Sequence, residues 1–491
     1  MRKILYCLSI LAALPALAYS SNSNIEAPNN TAHQAASRIE NNLLPVQYLR
    51  GHVISKSIPQ VMLEENIPGV SIAFVDNGKI AWTKTYGYAQ LVTAENVTPD
   101  TVFAGASLSK PIAAMAALKL VDQNVLSLDQ DVNRYLKDWQ LPANEFTQQQ
   151  KVTLRHLIGH TSGVGNHLWS SYDVGAEVPT LEQMLAGKPP SVDPAVSMIA
   201  APGERQKYSN PGYTIIQKLI TDTTDQRFDA AINKLVFTPA GMNNSSFTQP
   251  IPESLKKRMA TGYSKELQAY PYKLFPFGAA GGIWTTPSDL ARFAAAVIND
   301  YQYGSKTLIS KPLADQVFAR NQSRLSFTKK LGEKNDELIF DHWGSNAGFT
   351  SYLVGSLGDQ QALVIMTNSD NGFGLMASIA RAVADEYDWP VLKPQVFSAI
   401  EVPAEKLRRY VGEFDNGNGG DLTTFAVEGD RLLLTSSTQT TTPELVAIGE
   451  HKFIHPAEYT TYEFLAAKDG SIKWLRVTRD SGYNFDLSKR Q

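Results

Sequence analysis

Apolar and polar positions change period several times along the chain, and each change predicts an element. Two short apolar-rich runs, residues 70–75 and 79–82, are joined by Asp76-Asn77-Gly78, the signature of a β-hairpin. A helix is expected over residues 109–123. Another is expected from Thr286, where Thr286-Pro287-Ser288-Asp289 supplies an N-cap, a proline at the first position and a carboxylate three residues on. The apolar run 290–298 follows it. Residues 349–357 and 361–367 read as neighbouring strands around Gly358-Asp359, with a helix over 374–387 after them. Strands thus lie at both ends of residues 39–391, with a helical and loop-rich stretch between. That order predicts an α+β domain, an antiparallel sheet layered by helices rather than alternating βαβ units.

Pro394 and Pro403 punctuate a linker over residues 392–405, just beyond Pro390. In residues 406–491 the pattern changes to seven short runs: 422–427, 431–435, 444–448, 452–455, 461–466, 471–478 and 483–487. Turn signals such as Glu428-Gly429-Asp430 and Lys468-Asp469-Gly470 separate them, which predicts a small all-β sandwich or barrel.

The other end of the chain carries a different pattern. Arg2 and Lys3 precede an apolar run, residues 4–18, that closes on Ala16-Leu17-Ala18, a small-x-small cleavage pattern. Residues 1–18 are expected to be a cleavable export signal leaving Tyr19 first, because the run is shorter than the ~20 residues of a membrane span. The polar residues 19–38 read as a flexible leader, and the protein as exported, periplasmic or secreted.

Composition narrows the chemistry. Across 491 residues, 45 Lys and Arg against 48 Asp and Glu leave a net charge of −3, no footprint for nucleic acid. A hydrophobic content of 43% supports large cores. The one cysteine, Cys7, lies inside the expected signal. A disulfide scaffold, a thiolate zinc site and an iron–sulfur centre are excluded, and nucleophile chemistry falls to other residues.

The strongest candidate is Ser107. Phe103-Ala104-Gly105-Ala106-Ser107-Leu108-Ser109-Lys110 enters the helix that begins near Pro111, a residue comfortable only in a first turn. Ser107 and Lys110 are three apart and share one face. A serine needs a base to become a nucleophile, and a lysine serves as one when burial or a nearby cation lowers its pKa. The helix N-terminus offers backbone N–H groups to a developing oxyanion. Three more segments carry chemistry-bearing residues. Pro202-Gly203-Glu204-Arg205-Gln206-Lys207-Tyr208-Ser209-Asn210-Pro211-Gly212-Tyr213 is a turn-rich loop that leads into a helix near residues 214–222 and can present a hydroxyl and an amide together. Leu157-Ile158-Gly159-His160-Thr161-Ser162-Gly163-Val164 is a compact loop. Asp341-His342-Trp343-Gly344-Ser345-Asn346-Ala347-Gly348-Phe349 runs into a strand, its glycines allowing close backbone approach to a ligand.

These residues, in this order, resemble the serine β-lactamase/penicillin-binding-protein superfamily, in its branch similar to class C β-lactamases, with D-Ala-D-Ala carboxypeptidase, D-aminopeptidase and esterase relatives. The resemblance covers residues 39–388. Ser107 to Lys110 resembles the nucleophile motif, Tyr208-Ser209-Asn210 the Tyr-x-Asn motif, and His342-Trp343-Gly344 the third motif. The 157–164 loop and Gly281-Gly282-Ile283-Trp284-Thr285-Thr286-Pro287-Ser288-Asp289-Leu290-Ala291-Arg292-Phe293 resemble two accessory segments.

The resemblance implies an acyl-enzyme mechanism without metal or cofactor. Ser107 attacks a carbonyl, and Lys110 and Tyr208 relay its proton, the neighbouring ammonium depressing the tyrosine. Backbone N–H groups of Ser107 and Ser345 form the oxyanion hole. Asn210 orients the substrate amide, and His342 stands where classical members carry lysine. Two departures are visible. Trp343 is large where relatives carry a small residue, and is expected to narrow the pocket or stack on an aromatic substrate. His342 makes carboxylate recognition weaker and pH-dependent. Both favour a peptidase or esterase acting on a small amide or ester, of D-amino-acid or peptidoglycan type. A β-lactamase and a non-catalytic cell-wall binding protein with the same pocket are the alternatives. The resemblance also implies a lipocalin-like or barrel module after the hydrolase.

The remaining histidines and tryptophans receive plainer readings. His156, His160 and nearby His167 suggest zinc ligands by spacing, but no glutamate base lies between the first two and Thr161-Ser162-Gly163 breaks the helix, so the loop reads as structural. Trp169 and Trp284 read as core or pocket wall, and His451 and His455 as surface residues. The expected partners are a small-molecule or peptide substrate, with no nucleic acid and no stable membrane span.

Overall fold

The structure is a computed structural model. It describes residues 30–490 except 166, 168, 320–324, 333–336, 417–421, 437–442 and 481; the expected signal, and Cys7 with it, lies outside the described residues.

The chain builds one seven-stranded antiparallel sheet from β1 (Gly69–Asp76), β2 (Lys79–Gln90), β3 (Glu95–Asn96), β4 (Thr328–Leu331), β5 (Leu338–Asn346), β6 (Phe349–Ser356) and β7 (Gln361–Thr367). Their spatial order is β3-β2-β1-β7-β6-β5-β4. The expected hairpin forms as β1 and β2, with Asp76 opposite Lys79. Strands β6 and β7 are buried at every position because helices cover both faces, which explains continuous apolar runs in place of alternation.

Five helices position what matters here: α1 (Asn30–Glu40), α2 (Ser109–Asp122), α3 (Asn210–Thr224), α4 (Pro287–Tyr303) and α5 (Gly372–Glu386). Ala73, Val364 and Phe340 face the core shared with α2, α3 and α4. Ile72, Ile365 and Ile339, one residue along each strand, face the core shared with α1 and α5. Helix α2 is apolar on nearly all sides and buried accordingly. Helix α4 starts as its sequence predicts: Thr286 Oγ1 accepts from Asp289 N at 3.2 Å, with Pro287 in the first turn. Thr286→Ala is expected to lower unfolding free energy by about 1–2 kcal/mol. Urea denaturation should show a lower midpoint at unchanged slope.

The C-terminal module is a closed eight-stranded barrel running from Gly412–Asp415 to Asn484–Lys489. Its first strand escaped the sequence pattern because only Phe414 in it is buried. Tyr410, Phe425, Phe453 and Phe464 pack inside, with ring centroids 4.7 Å apart for Tyr410 and Phe464.

Three expectations are corrected. Residues 30–38 of the expected flexible leader are helical: α1 buries Ala35, Ala36 and Ile39 against the back of the sheet, and Arg38 bonds Glu386 of α5 at 2.6 Å. The expected linker contains Gln395–Phe397, which pairs in parallel with Gln47–Leu49 and so is held to the hydrolase domain. His455 is buried rather than a surface residue, its Nδ1 accepting from Ala457 N and Glu458 N in a turn. No helix among the described residues is long and apolar enough to cross a membrane.

Candidate active site

Ser107 occupies the turn between the strand Phe103–Ala106 and α2. Ala106 before it adopts φ 47°, in the left-handed region, which turns the chain sharply enough to present Ser107 at the helix start. The turn is fastened by Leu108 N to Gly105 O at 3.0 Å and by Ser109, whose Oγ donates to Ala106 O at 2.6 Å and accepts from Ile283 N at 3.0 Å.

Lys110 is fully buried one helical turn away. Its Nζ lies 3.1 Å from Ser107 Oγ and donates to Ala280 O at 2.5 Å. Burial, with no carboxylate to oppose it, pulls its pKa well below the usual lysine value. Tyr208 OH lies 2.9 Å from Ser107 Oγ, and the Lys110 Nζ stands 4.7 Å from the Tyr208 ring centroid. The three side chains expected to carry the chemistry therefore converge on one oxygen. Burial disfavours the ammonium that the expected depression of Tyr208 requires, while the Ala280 carbonyl bonded to Nζ and the Tyr208 and Tyr213 rings near it favour that charge.

Tyr208 is held by the compact loop. The His160 ring lies 4.5 Å from the Tyr208 ring, its Nδ1 accepts from Ser209 N at 3.1 Å, and its backbone O accepts from Lys207 N at 2.8 Å. Ser209 then caps α3, accepting from Gly212 N at 3.0 Å while its hydroxyl donates to Gly165 O. Helix α3 consequently starts at Asn210, earlier than the sequence pattern suggested, and Asn210 sits at its first residue with Nδ2 3.4 Å from His167 O. His156 bonds Thr153 N in its own helix cap, and His167 packs edge-on to Trp169 at 4.2 Å, so the three histidines serve separate contacts.

The third motif lies on β5, and strand alternation divides it. Gly344 belongs to the face with Phe340 and abuts the Ser107 turn: a Cβ there would lie 2.3 Å from Ser351 Oγ, 2.5 Å from Gly105 O and 3.2 Å from Ser107 N. His342 shares that parity and is buried, its Nδ1 2.8 Å from Trp343 O. Ser345 follows Gly344 and is exposed. Trp343 departs from expectation. It points to the opposite face, stacked on Tyr352 at 3.6 Å and packed with the α1–α5 core, so it neither narrows the Ser107 pocket nor meets a substrate there.

Four contributors were given no role at the site by the sequence: the Ala280 carbonyl and Ser351 (whose Oγ donates to Gly105 O at 3.0 Å), which lie outside the motifs, and Asn346 (whose Nδ2 donates to Gly281 O at 3.1 Å) and the His160 ring, which lie within them. The nearest signal was the glycine-rich segment from Gly281, one residue past Ala280. Trp284 is buried and walls a cavity of about 210 Å³ with Tyr272 and Asn346.

A family model described as Beta-lactamase matches residues 54–388. The chain belongs to the beta-lactamase family, within the serine β-lactamase/penicillin-binding-protein superfamily, and its fold is the β-lactamase/transpeptidase fold with a C-terminal barrel. Penicillin-binding protein 4* of Bacillus subtilis (strain 168) is 23% identical over 443 residues, covering 82% of this chain and 92% of that protein. Two solved structures share the fold. The octameric penicillin-binding protein homologue from Pyrococcus abyssi aligns with a TM-score of 0.58 at 22% identity, over 88% of this chain and 98% of its own. The beta-lactamase/D-alanine carboxypeptidase from Pseudomonas syringae aligns with a TM-score of 0.54 at 21% identity, over 67% of this chain and 96% of its own.

Proposed function

We propose that the protein is an exported serine hydrolase that forms an acyl-enzyme on Ser107 and cleaves a small amide or ester. The observation that carries this is the convergence of Lys110 Nζ and Tyr208 OH on Ser107 Oγ, at 3.1 and 2.9 Å. In this reading the neutral Lys110 amine takes the hydroxyl proton as Ser107 Oγ bonds to the carbonyl carbon. Tyr208 passes a proton to the leaving nitrogen or oxygen as that bond breaks. The N–H groups of Ser107 and Ser345 hold the oxyanion, Asn210 orients the substrate amide, and His342 lines the leaving-group side. Water then gives a proton to the Tyr208 phenolate as its oxygen bonds to the acyl carbon, the acyl–Oγ bond breaks, and Lys110 returns its proton to Ser107 Oγ, which releases the acid and restores the site.

The substrate class proposed is a peptide with D-residues, of peptidoglycan type, or a related ester. It is supported by the names of the relatives, a penicillin-binding protein and a D-alanine carboxypeptidase. Buried His342 in place of a lysine argues against strong recognition of a substrate carboxylate.

A fluorophosphonate probe and a fluorescent penicillin test the reading. The fluorophosphonate is expected to label the wild-type protein covalently and to leave Ser107→Ala unlabelled. Absence of wild-type labelling, or equal labelling of Ser107→Ala, would sink the enzyme and favour the binding protein. Rapid release of the penicillin adduct would mark a β-lactamase.

A further inference from the structure

Turning Trp343 away from Ser107 leaves a question about what it faces. Behind the sheet, between the start of α5, residues 43–65 and two loops of the barrel, lies an open cleft of about 540 Å³. That is within the ~300–1,000 Å³ of small-molecule sites, which favour domain boundaries of this kind. Trp343 and Phe373 form one wall, their rings 5.7 Å apart, and Phe373 is 42% exposed. Tyr459 of the barrel closes another side, its hydroxyl accepting from Ile54 N at 3.0 Å.

Arg381 lies on α5 in the cleft lining and is only 8% exposed. Its Nε donates to Leu44 O at 3.0 Å and its Nη2 to Ser378 Oγ at 2.9 Å, whereas Nη1 has no hydrogen bond among the described residues. No carboxylate of the described residues forms an ion pair with it. Burial pushes its pKa down to about 10, countered by the charge of Asp480, which lines the same cleft, so it stays charged at neutral pH. A buried guanidinium without a direct counter-ion is costly, and a carboxylate ligand removes that cost by completing the fork. The other charged residues of the lining are Lys56, Glu64, Glu65 and Asp480. Lys56 is taken by Glu64 at 2.6 Å, which leaves Glu65 as an exposed carboxylate at the rim with no ion-pair partner among the described residues.

We propose that this cleft is a second ligand site, separate from Ser107, that takes a zwitterionic amino acid or short peptide with an apolar side chain. The ligand carboxylate binds Arg381, its side chain packs on Trp343 and Phe373, and its ammonium faces Glu65. The two sites share a strand: Trp343 projects to the back from between His342 and Gly344, which face the front.

Isothermal titration of the full chain carrying Ser107→Ala tests this independently of the acyl-enzyme reading. The probes are phenylalanine, phenylalaninamide and N-acetylphenylalanine. Phenylalanine is expected to bind, with the amide and the acetylated form each weaker by about tenfold, the scale of one charge-assisted contact. Arg381→Gln should weaken phenylalanine by a similar factor. Arg381 also ties α5 to Leu44, so Phe373→Ser provides the control that leaves folding intact. It should weaken binding roughly threefold to tenfold, the worth of an aromatic contact, without moving the thermal midpoint. Three outcomes overturn the proposal: no binding of phenylalanine, equal affinity for acid and amide, or affinity unchanged in Phe373→Ser.

Discussion

Lys110→Met is expected to slow acylation of Ser107 by about two to four orders of magnitude, the range for removing a general base. Methionine fills much the same buried space, so the loss isolates the amine. The pH dependence gives a second readout. In the folded protein the Lys110 pKa lies well below the ordinary lysine value of 10.5, because burial disfavours the ammonium. Between the folded value and 10.5 the unfolded chain therefore holds one proton more than the native one. Wild-type stability should rise with pH across that window relative to Lys110→Met, by up to about 1.4 kcal/mol per pH unit. The acylation rate should climb in the same direction, since only the neutral amine accepts the Ser107 proton. Tyr208→Phe separates the two effects. It should slow acylation by a similar factor, yet keep the wild-type pH slope of stability, because Lys110 remains buried. Stopped-flow labelling and urea titrations at pH 7, 8 and 9 make the measurement. Rapid acylation by Lys110→Met, or a stability difference flat with pH, would count against the neutral-base assignment.

The features legible in the sequence are the local ones. The Thr286 cap, the Asp76-Asn77-Gly78 hairpin and the Ser107-to-Lys110 spacing each depend on residues a few positions apart, and each forms as its pattern suggests. Trp343 shows where that reasoning fails. Strand β5 is covered on both sides, so Ile339 and Phe340 are equally apolar and nothing in their order says which side faces α2. Helix α1 is masked by its overall polarity: its buried face is only Ala35, Ala36 and Ile39, set in a stretch that is polar on average and reads as a leader. The pairing of Gln395–Phe397 with Gln47–Leu49 joins segments too far apart for any local pattern to register. Ala280 contributes a backbone carbonyl, which every residue possesses, so its role as the Lys110 acceptor has no side-chain signature.

Gly344→Ala is expected to damage the site more than a one-carbon change suggests. The added Cβ would meet Ser351 Oγ at 2.3 Å and Gly105 O at 2.5 Å. The serine hydroxyl could rotate away only by giving up its bond to Gly105 O, and the second obstacle is backbone. Strand β5 must therefore retreat from the turn that carries Ser107, taking the Ser345 N–H with it. A displacement of about 1 Å at a reacting centre is worth roughly 100-fold in rate, and overpacking of this kind about 1–3 kcal/mol in stability. Adding Ser351→Ala distinguishes crowding from misplacement. It removes the nearer obstacle and should restore part of the stability, while Gly105 O still holds β5 off and acylation stays slow. If Gly344→Ala alone labels with fluorophosphonate at the wild-type rate, the strand does not set the geometry at Ser107. A double variant that recovered full acylation would put the constraint in the Ser351 hydroxyl rather than in the backbone of the nucleophile turn.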